Sequence, residues 1–245
     1  MLKKRVIPTI LYDGTAQVKG RAFASDRVVG SVLQAARVYE RRAVDELCFL
    51  DVGATRDGRG PNLEIVSALA SQVFMPFSVG GGVRSVDDVH ELLRHGADKV
   101  VVGTGGTALV RAIAERYGCQ AVVASVDVRQ GHAVYVECGR REVVGVTPET
   151  YAAQLVEAGV GELLLQSIDR DGTRQGYDLD LIARIAPHVS VPVIASGGCS
   201  GPDDMVRAFK AGADAVAVGA LFLFDDVTPS DCATELHAHG VPVRL

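Results

Sequence analysis

The chain has 245 residues, of which 48% are hydrophobic and 22% charged, the mixture of a globular protein and not of a disordered or fibrous one. Thirty acidic side chains against 25 basic ones give a formal charge of −5, without the basic surplus that attracts phosphate backbones, so nucleic acid is excluded as an expected partner. The five cysteines lack C-x-x-C spacing, and the basic N-terminal residues lead into an apolar run cut by Pro8 and Asp13. That argues against a disulfide framework, a structural zinc site, a signal peptide and a membrane span, and for reduced thiols in a cytoplasmic protein.

Short β-branched runs alternate with longer segments of helical period. Strands are predicted to begin near Arg5, Glu46, Phe77, Lys99, Val122, Glu162, Val193 and Ala215. Between and after them the pattern predicts helices over 32–42, 62–70, 86–94, 108–116, 148–157, 179–185, 203–210 and 230–237. Ser85 with Asp88 three residues on suits a helix start, and Gly96, Gly159 and Gly212 suit helix ends. Eight strand-helix units at this length predict a single α/β domain over residues 1–245, a (β/α)8 barrel, with an open doubly wound sheet as the other architecture. His132–Cys138 and Val143-Val144-Gly145 read as a hairpin inserted after the fifth strand, either covering the mouth of the barrel or decorating its surface.

The sequence also repeats itself at a spacing of 116. Pro76 falls on Pro192, Gly81-Gly82 on Gly197-Gly198, Asp87-Asp88 on Asp203-Asp204, Gly96-Ala97-Asp98 on Gly212-Ala213-Asp214, Gly103 on Gly219 and Glu46-Leu47 on Glu162-Leu163. Two half-barrels, roughly 1–120 and 121–245, are the economical reading.

In such a barrel, ligands sit on the loops that follow the strands. Those loops are rich in glycine, which lets backbone N–H groups approach an anion. Gly81, Gly82, Gly103 and Thr104 in the first half, and Asp171, Gly172, Gly197, Gly198, Gly219 and Ala220 in the second, are candidate phosphate-binding residues. Tight turns are the structural alternative. One phosphate site in each half suits a ligand with a phosphate at either end. Asp51, Asp127, Asp169 and Asp171 are carboxylates at or beyond strand ends, where paired acids can share proton transfer. The repeat mate of Asp127 is Leu11, so a symmetric pair is missing; Asp13 is the substitute nearest in sequence, although Asp13-Gly14 also reads as a turn. At the opposite end, Arg5, Glu46, Lys99 and Glu162 begin strands one, two, four and six, and physical chemistry favours an alternating salt-bridge plug over a gate. His237 and His239 could face a metal, but a lone H-x-H on a charged terminal helix reads as solvated surface, and His90 and His95 lie toward the end of the third helix and suit its dipole. No metal site and no nicotinamide or flavin fingerprint is present, so no cofactor is expected.

Together Arg5-Val6-Ile7-Pro8, Asp45-Glu46-Leu47, Val79-Gly80-Gly81-Gly82, Gly96-Ala97-Asp98-Lys99-Val100, Ser167-Ile168-Asp169-Arg170-Asp171-Gly172-Thr173 and Ala195-Ser196-Gly197-Gly198 resemble the cyclase subunit of the imidazole glycerol phosphate synthase family. The resemblance covers essentially the whole chain. It implies that a glutaminase partner docks at the N-terminal barrel face near Asp98 and Gln120, and that Arg5, Glu46, Lys99 and Glu162 gate an ammonia passage. It also implies that Lys19 belongs to a first loop closing over substrate and that Asp127 is a catalytic acid or base. The sequence departs from the family at Leu11, where the other catalytic aspartate falls, and at Gly103, where a substrate-contacting asparagine falls. Arg27-Val28-Val29-Gly30 and residues 54–61 are similar to a paralogous branch that works with a glutaminase and an amidotransferase on amidino sugars. Three functions follow as expectations: an ammonia-using synthase on a specialised phosphorylated substrate, an ordinary histidine-pathway cyclase, and a non-catalytic activator of a glutaminase.

Overall fold

The structure is a computed structural model that describes residues 3–24 and 27–245; Met1 and Leu2, which open the N-terminal segment read above, lie outside the described residues. Among the described residues, eight parallel strands form the central sheet: β1 (Arg5–Tyr12), β2 (Leu47–Asp51), β3 (Phe77–Gly80), β4 (Lys99–Val102), β5 (Val122–Arg129), β6 (Glu162–Ser167), β7 (Val193–Ser196) and β8 (Ala215–Val218). Each strand pairs with the next in chain order, and β8 returns to β1 through a register running from Arg5↔Ala215 to Pro8↔Val218. The sheet is closed, so the backbone groups of an edge strand are not left without partners. The helices α1 (Val32–Arg41), α2 (Leu63–Ala70), α3 (Val86–Arg94), α4 (Gly106–Tyr117), α5 (Pro148–Glu157), α6 (Leu179–Ile185), α7 (Pro202–Lys210) and α8 (Pro229–Ala238) alternate with the strands. They agree with the sequence-based ranges to within two residues at every end.

The two-residue alternation of the strands sorts side chains onto two faces. On β1, Val6, Ile10 and Tyr12 join the large core between sheet and helices, while Ile7 joins a small core inside the barrel with Cys48, Val101, Val123, Leu164 and Ile194. The same alternation carries Thr9 and Leu11 inward above Ile7, and Ser125 and Asp127 inward above Val123. Local signals set the helix ends. Ser85 and Asp88 form a reciprocal capping box at the start of α3, satisfying two otherwise orphaned N–H groups. Gly96 leaves the same helix at φ +100, in the left-handed region that glycine adopts without steric cost.

Three local features differ from expectation. The loop after β1 carries two short antiparallel strands, Gln17–Val18 and Val28–Gly30, too short to leave a periodic signal. A short helix, Ala220–Phe224, follows β8 directly. The hairpin after β5 pairs Ala133–Val136 with Arg141–Glu142, and the Val143 N–H continues the pairing by donating to the Val134 carbonyl at 2.8 Å, so the return strand begins two residues earlier than expected. Glu137, Cys138 and Gly139 all take positive φ, at 56°, 57° and 76°, so the chain reverses sooner and brings Arg141 opposite Val136.

Candidate active site

The principal cavity opens at the C-terminal ends of the strands. Its wall includes each glycine singled out as a candidate anion contact, Gly81, Gly82, Gly103, Gly172, Gly197, Gly198 and Gly219, together with Thr104, Asp171, Ala220, Lys19 and Asp127. The inserted hairpin belongs to this wall through Glu137, Cys138 and Arg140, and the Glu137 N–H donates to Thr104 Oγ1 at 3.3 Å. Of the two positions open to it, the hairpin therefore takes the one over the mouth.

Asp127 projects from the end of β5 and is 8% exposed. Burial pushes its carboxyl up to about 6, helped by the charge of Asp171 and opposed by a hydrogen bond from Ser125. Ser125 Oγ donates to Asp127 Oδ1 at 2.5 Å; the two residues share a strand face because they are two apart. A carboxyl titrating near neutrality can both take and give a proton at physiological pH. Across the barrel, Leu11 lines the cavity at the repeat position of Asp127, and the side chain of Leu50 beside it is apolar as well.

The other carboxylates are held by different work. Asp51 receives Arg59 in a two-pronged ion pair, Nη1 to Oδ2 at 2.5 Å and Nη2 to Oδ1 at 2.7 Å, and accepts the N–H of Ala54 at 3.0 Å. Asp169 is exposed and accepts the N–H of Gln130 at 2.5 Å. Asp171 pairs with Lys19 Nζ at 2.5 Å. The suggestion that Asp13 stands in for the missing strand-one carboxylate needs correction: Asp13 does not line the cavity. Its Oδ1 accepts from the N–H of Thr15 at 2.8 Å, from Thr15 Oγ1 at 2.8 Å and from the N–H of Ala16 at 2.9 Å, so the Asp13-Gly14 turn holds the side chain to its own backbone.

At the opposite end of the barrel the four predicted charges meet in a closed ring. Arg5 reaches Glu46 at 2.6 Å and Glu162 at 2.7 Å, and Lys99 Nζ reaches Glu46 at 3.0 Å and Glu162 at 2.7 Å. Burial alone would raise the Glu162 carboxyl, but hydrogen bonds and charge from Arg5, and then from Lys99, hold it below the usual glutamate range. A small void inside the barrel touches Glu46 on the ring side and Val101, Leu164 and Ala217 on the cavity side; these three also line the mouth. Cys48, in this void, has its thiol pushed up to about 12 by burial, so the interior between ring and cavity carries no charge of its own. Asp98 and Gln120 lie on the ring's side, at the starts of β4 and β5, and both are exposed. Asp98 Oδ2 accepts the N–H of Phe77 at 2.8 Å, and Gln120 Nε2 donates to the carbonyl of Tyr117 at 2.9 Å.

Sequence reasoning missed several cavity residues. Gln166 and Ser125 lie inside strands that read simply as core, and no motif marks them. Arg59 stands behind the wall and not in it, and shows its role as the partner of the cavity residue Asp51 only once the loop after β2 folds back. Among the described residues no group of three or more His, Cys, Asp or Glu side chains is placed to hold a metal, and no helix is long and apolar enough to cross a membrane.

Comparison with known proteins places this geometry in a family. The family described as "Histidine biosynthesis protein" matches residues 5–228. Among curated relatives, the chain is 45% identical over 249 residues to the protein named imidazole glycerol phosphate synthase subunit HisF of Streptomyces avermitilis, covering 99% of each. It is 43% identical over 253 residues to the HisF of Corynebacterium diphtheriae, covering 98% of each, and 40% identical over 252 residues to that of Streptococcus mutans, covering 100% of each. The protein therefore belongs to the histidine biosynthesis family of (β/α)8 barrels and groups within it with the HisF subunits of imidazole glycerol phosphate synthase.

Proposed function

We propose that the protein is an ammonia-using synthase subunit. It takes ammonia from a glutaminase docked at the N-terminal face, where Asp98 and Gln120 lie, and delivers it to a phosphorylated substrate in the C-terminal mouth. One observation carries this reading: a closed ring of two cations and two anions stands at one end of an uncharged interior, and a buried carboxyl held above the usual aspartate range, Asp127, stands at the other. The ring serves as the gate. The paired glycine loops hold phosphate groups at opposite sides of the mouth, and Lys19 draws the first loop over them. The relatives' printed name, a subunit of a synthase, agrees with a chain that works beside a partner.

Leu11 favours a specialised paralogue over an ordinary cyclase, because one carboxyl is left where the repeat has room for two. Losing one of two acid/base groups costs about 10²–10⁴ in rate for a reaction built on both. The test supplies purified protein with ammonium chloride and the bisphosphate substrate of the histidine-pathway cyclase. Binding without turnover at enzymatic rates is expected, with turnover gained in Leu11→Asp. Cyclisation by the unaltered protein at rates typical of enzymes would establish the ordinary cyclase instead. Unchanged output of the assembled glutaminase complex on Asp127→Asn would establish the non-catalytic activator.

A further inference from the structure

The two halves of the barrel use one matched carboxylate differently. The spacing of 116 that matches Gly82 with Gly198 also matches Asp88 with Asp204, Gly60-Pro61 with Gly176-Tyr177 and Ser85 with Gly201. In the first half Asp88 serves its own helix: Oδ2 accepts the N–H groups of Arg84 and Ser85 and the Ser85 hydroxyl, each at 2.9 Å. In the second half Gly201 has no hydroxyl to offer, and Asp204, 1% exposed, reaches beyond its helix to the loop after β6. Its Oδ2 accepts the Tyr177 N–H at 3.1 Å and the Ser200 N–H at 3.2 Å, and its Oδ1 accepts Arg207 Nη2 at 3.2 Å. The neighbouring Gly176 N–H donates to the carbonyl of Gly198 at 2.8 Å, and the Tyr177 hydroxyl donates to the carbonyl of Ala217 on β8 at 3.2 Å. A buried carboxylate and a buried tyrosine thus clasp the loops after β6 and β7 to the strand that leads into Gly219. The first half cannot copy the clasp, because Pro61 stands at the match of Tyr177 and proline has no N–H to donate. There an exposed side chain, Arg84, ties the loops after β2 and β3 by donating to the carbonyl of Gly58 at 3.2 Å.

We propose that Asp204 is a positioning residue for the phosphate pocket of the second half, and that the clasp it anchors makes this pocket the tighter of the two. The inference rests on the proposed reading of the glycine loops as phosphate pockets. Asp204 stands outside the cavity wall that Gly197, Gly198 and Gly219 help to form, so it acts through the loops and not on the ligand. Its charge has the sign that repels a phosphate, and its contribution to binding is therefore the fixed shape of the loops. Gly198, at φ +99, packs on Gly176 so closely that a Cβ would lie 2.2 Å from the Gly176 carbonyl oxygen, and the hydrogen bonds from the Gly176 and Tyr177 N–H groups hold that approach. Backbone N–H groups fixed before an anion arrives bind it without the cost of ordering the loop. The loops of the first half, tied by an exposed arginine, bear that cost when the phosphate binds.

The test titrates nitrogen-15-labelled protein with inorganic phosphate, with the amide signals of Gly82 and Gly103 reporting the first pocket and those of Gly198 and Gly219 the second. In the unaltered protein the second pocket is expected to saturate at a phosphate concentration at least about fivefold lower than the first. Asp204→Asn keeps the shape of the side chain but puts a donor where one oxygen accepted, and it is expected to weaken the second pocket about tenfold while leaving the first within about twofold. Asp88→Asn, the matching change in the first half, is expected to lower the melting temperature through loss of the α3 cap and to leave both pockets unchanged, which separates positioning from a general loss of stability. Equal saturation of the two pockets in the unaltered protein, or the first ahead of the second, overturns the inference whether or not Asp204→Asn folds, and leaves the proposed function standing. Phosphate binding in Asp204→Asn that is unchanged, or weakened equally in both pockets, overturns it as well. So does tighter binding in that variant, which is the response to a carboxylate that acts by repulsion alone. Absence of a phosphate response at all four glycines removes the reading of the mouth and the inference with it.

Discussion

The Nζ of Lys19 lies 2.5 Å from Oδ1 of Asp171, joining the loop after β1 to the loop after β6 across 152 positions of sequence. The side chains are 4% and 13% exposed, so the contact is a buried ion pair that closes one side of the mouth. Removing a single partner from such a pair leaves a charge without compensation. Lys19→Met is expected to destabilise the protein by about 3 kcal/mol in urea unfolding, and the double variant with Asp171→Asn to recover most of that loss. Equal stability of Lys19→Met and the unaltered protein would show that the pair is not closed in solution.

Asp127 makes stability and pH interdependent. Its folded value, about 6, lies above that of an unfolded aspartate. The group therefore contributes stability that is complete below the unfolded value and lost as pH rises through about 6. Asp127→Asn removes that titration, and the variant is expected to be more stable than the parent at pH 8, by on the order of 2 kcal/mol, with the difference shrinking toward pH 4. Ser125 pulls in the other direction, because its hydroxyl favours the ionised carboxyl. In a carbon-13 titration of the carboxyl, Ser125→Ala is expected to move Asp127 upward by roughly one unit, and Ser125→Thr to restore it.

The barrel was legible because its signals are local and repeated. Alternation in β1 and helical period in α3 survive in any window of the chain, and the spacing of 116 multiplies each by two. The charged ring was legible for the same reason: Arg5, Glu46, Lys99 and Glu162 all stand at strand starts, where inward charges have only each other. The mouth was half legible. Its glycines announce themselves by type, but Gln166, Ser125 and Arg59 acquire meaning from strands and loops distant in sequence. Asp13 shows the converse error, since spacing put it within reach of the cavity while Thr15 and Ala16 bind its carboxylate in a turn.

The ring yields its own prediction. Glu46 is 2% exposed and shares its Oε2 between Arg5 and Lys99. Lys99→Met leaves the buried Glu46 and the partly buried Glu162 facing one guanidinium and is expected to destabilise by about 3 kcal/mol, with only weak dependence on salt because Glu46 is shielded from counterions. The depressed Glu162 contributes stability present above the unfolded glutamate value and lost as pH falls through its lower folded value. Unfolding free energies between pH 7 and pH 3 are expected to fall less steeply in Glu162→Gln than in the parent.

The glycines of the mouth separate into those required by backbone shape and those that leave space. Gly81 has φ +110, and a Cβ there would lie 2.2 Å from the carbonyl oxygen of Asp51. Its repeat mate Gly197 has φ +95 and would meet the carbonyl oxygen of Ser167 at 2.5 Å. Gly103 and its mate Gly219 meet nothing closer than 3.8 Å and 3.6 Å, to the side chains of Ser125 and Lys19. Gly81→Ala and Gly197→Ala are therefore expected to destabilise by at least about 2 kcal/mol through strain and backbone displacement, whereas Gly103→Ala and Gly219→Ala remain within about 0.5 kcal/mol of the parent. Thermal unfolding of the four variants distinguishes the pairs, and phosphate titration of the two stable ones tests what the open positions are for. Weakened phosphate binding in Gly103→Ala and Gly219→Ala, at unchanged stability, would assign their missing side chains to the ligand; unchanged binding would assign the phosphate contacts to the turns at Gly81 and Gly197.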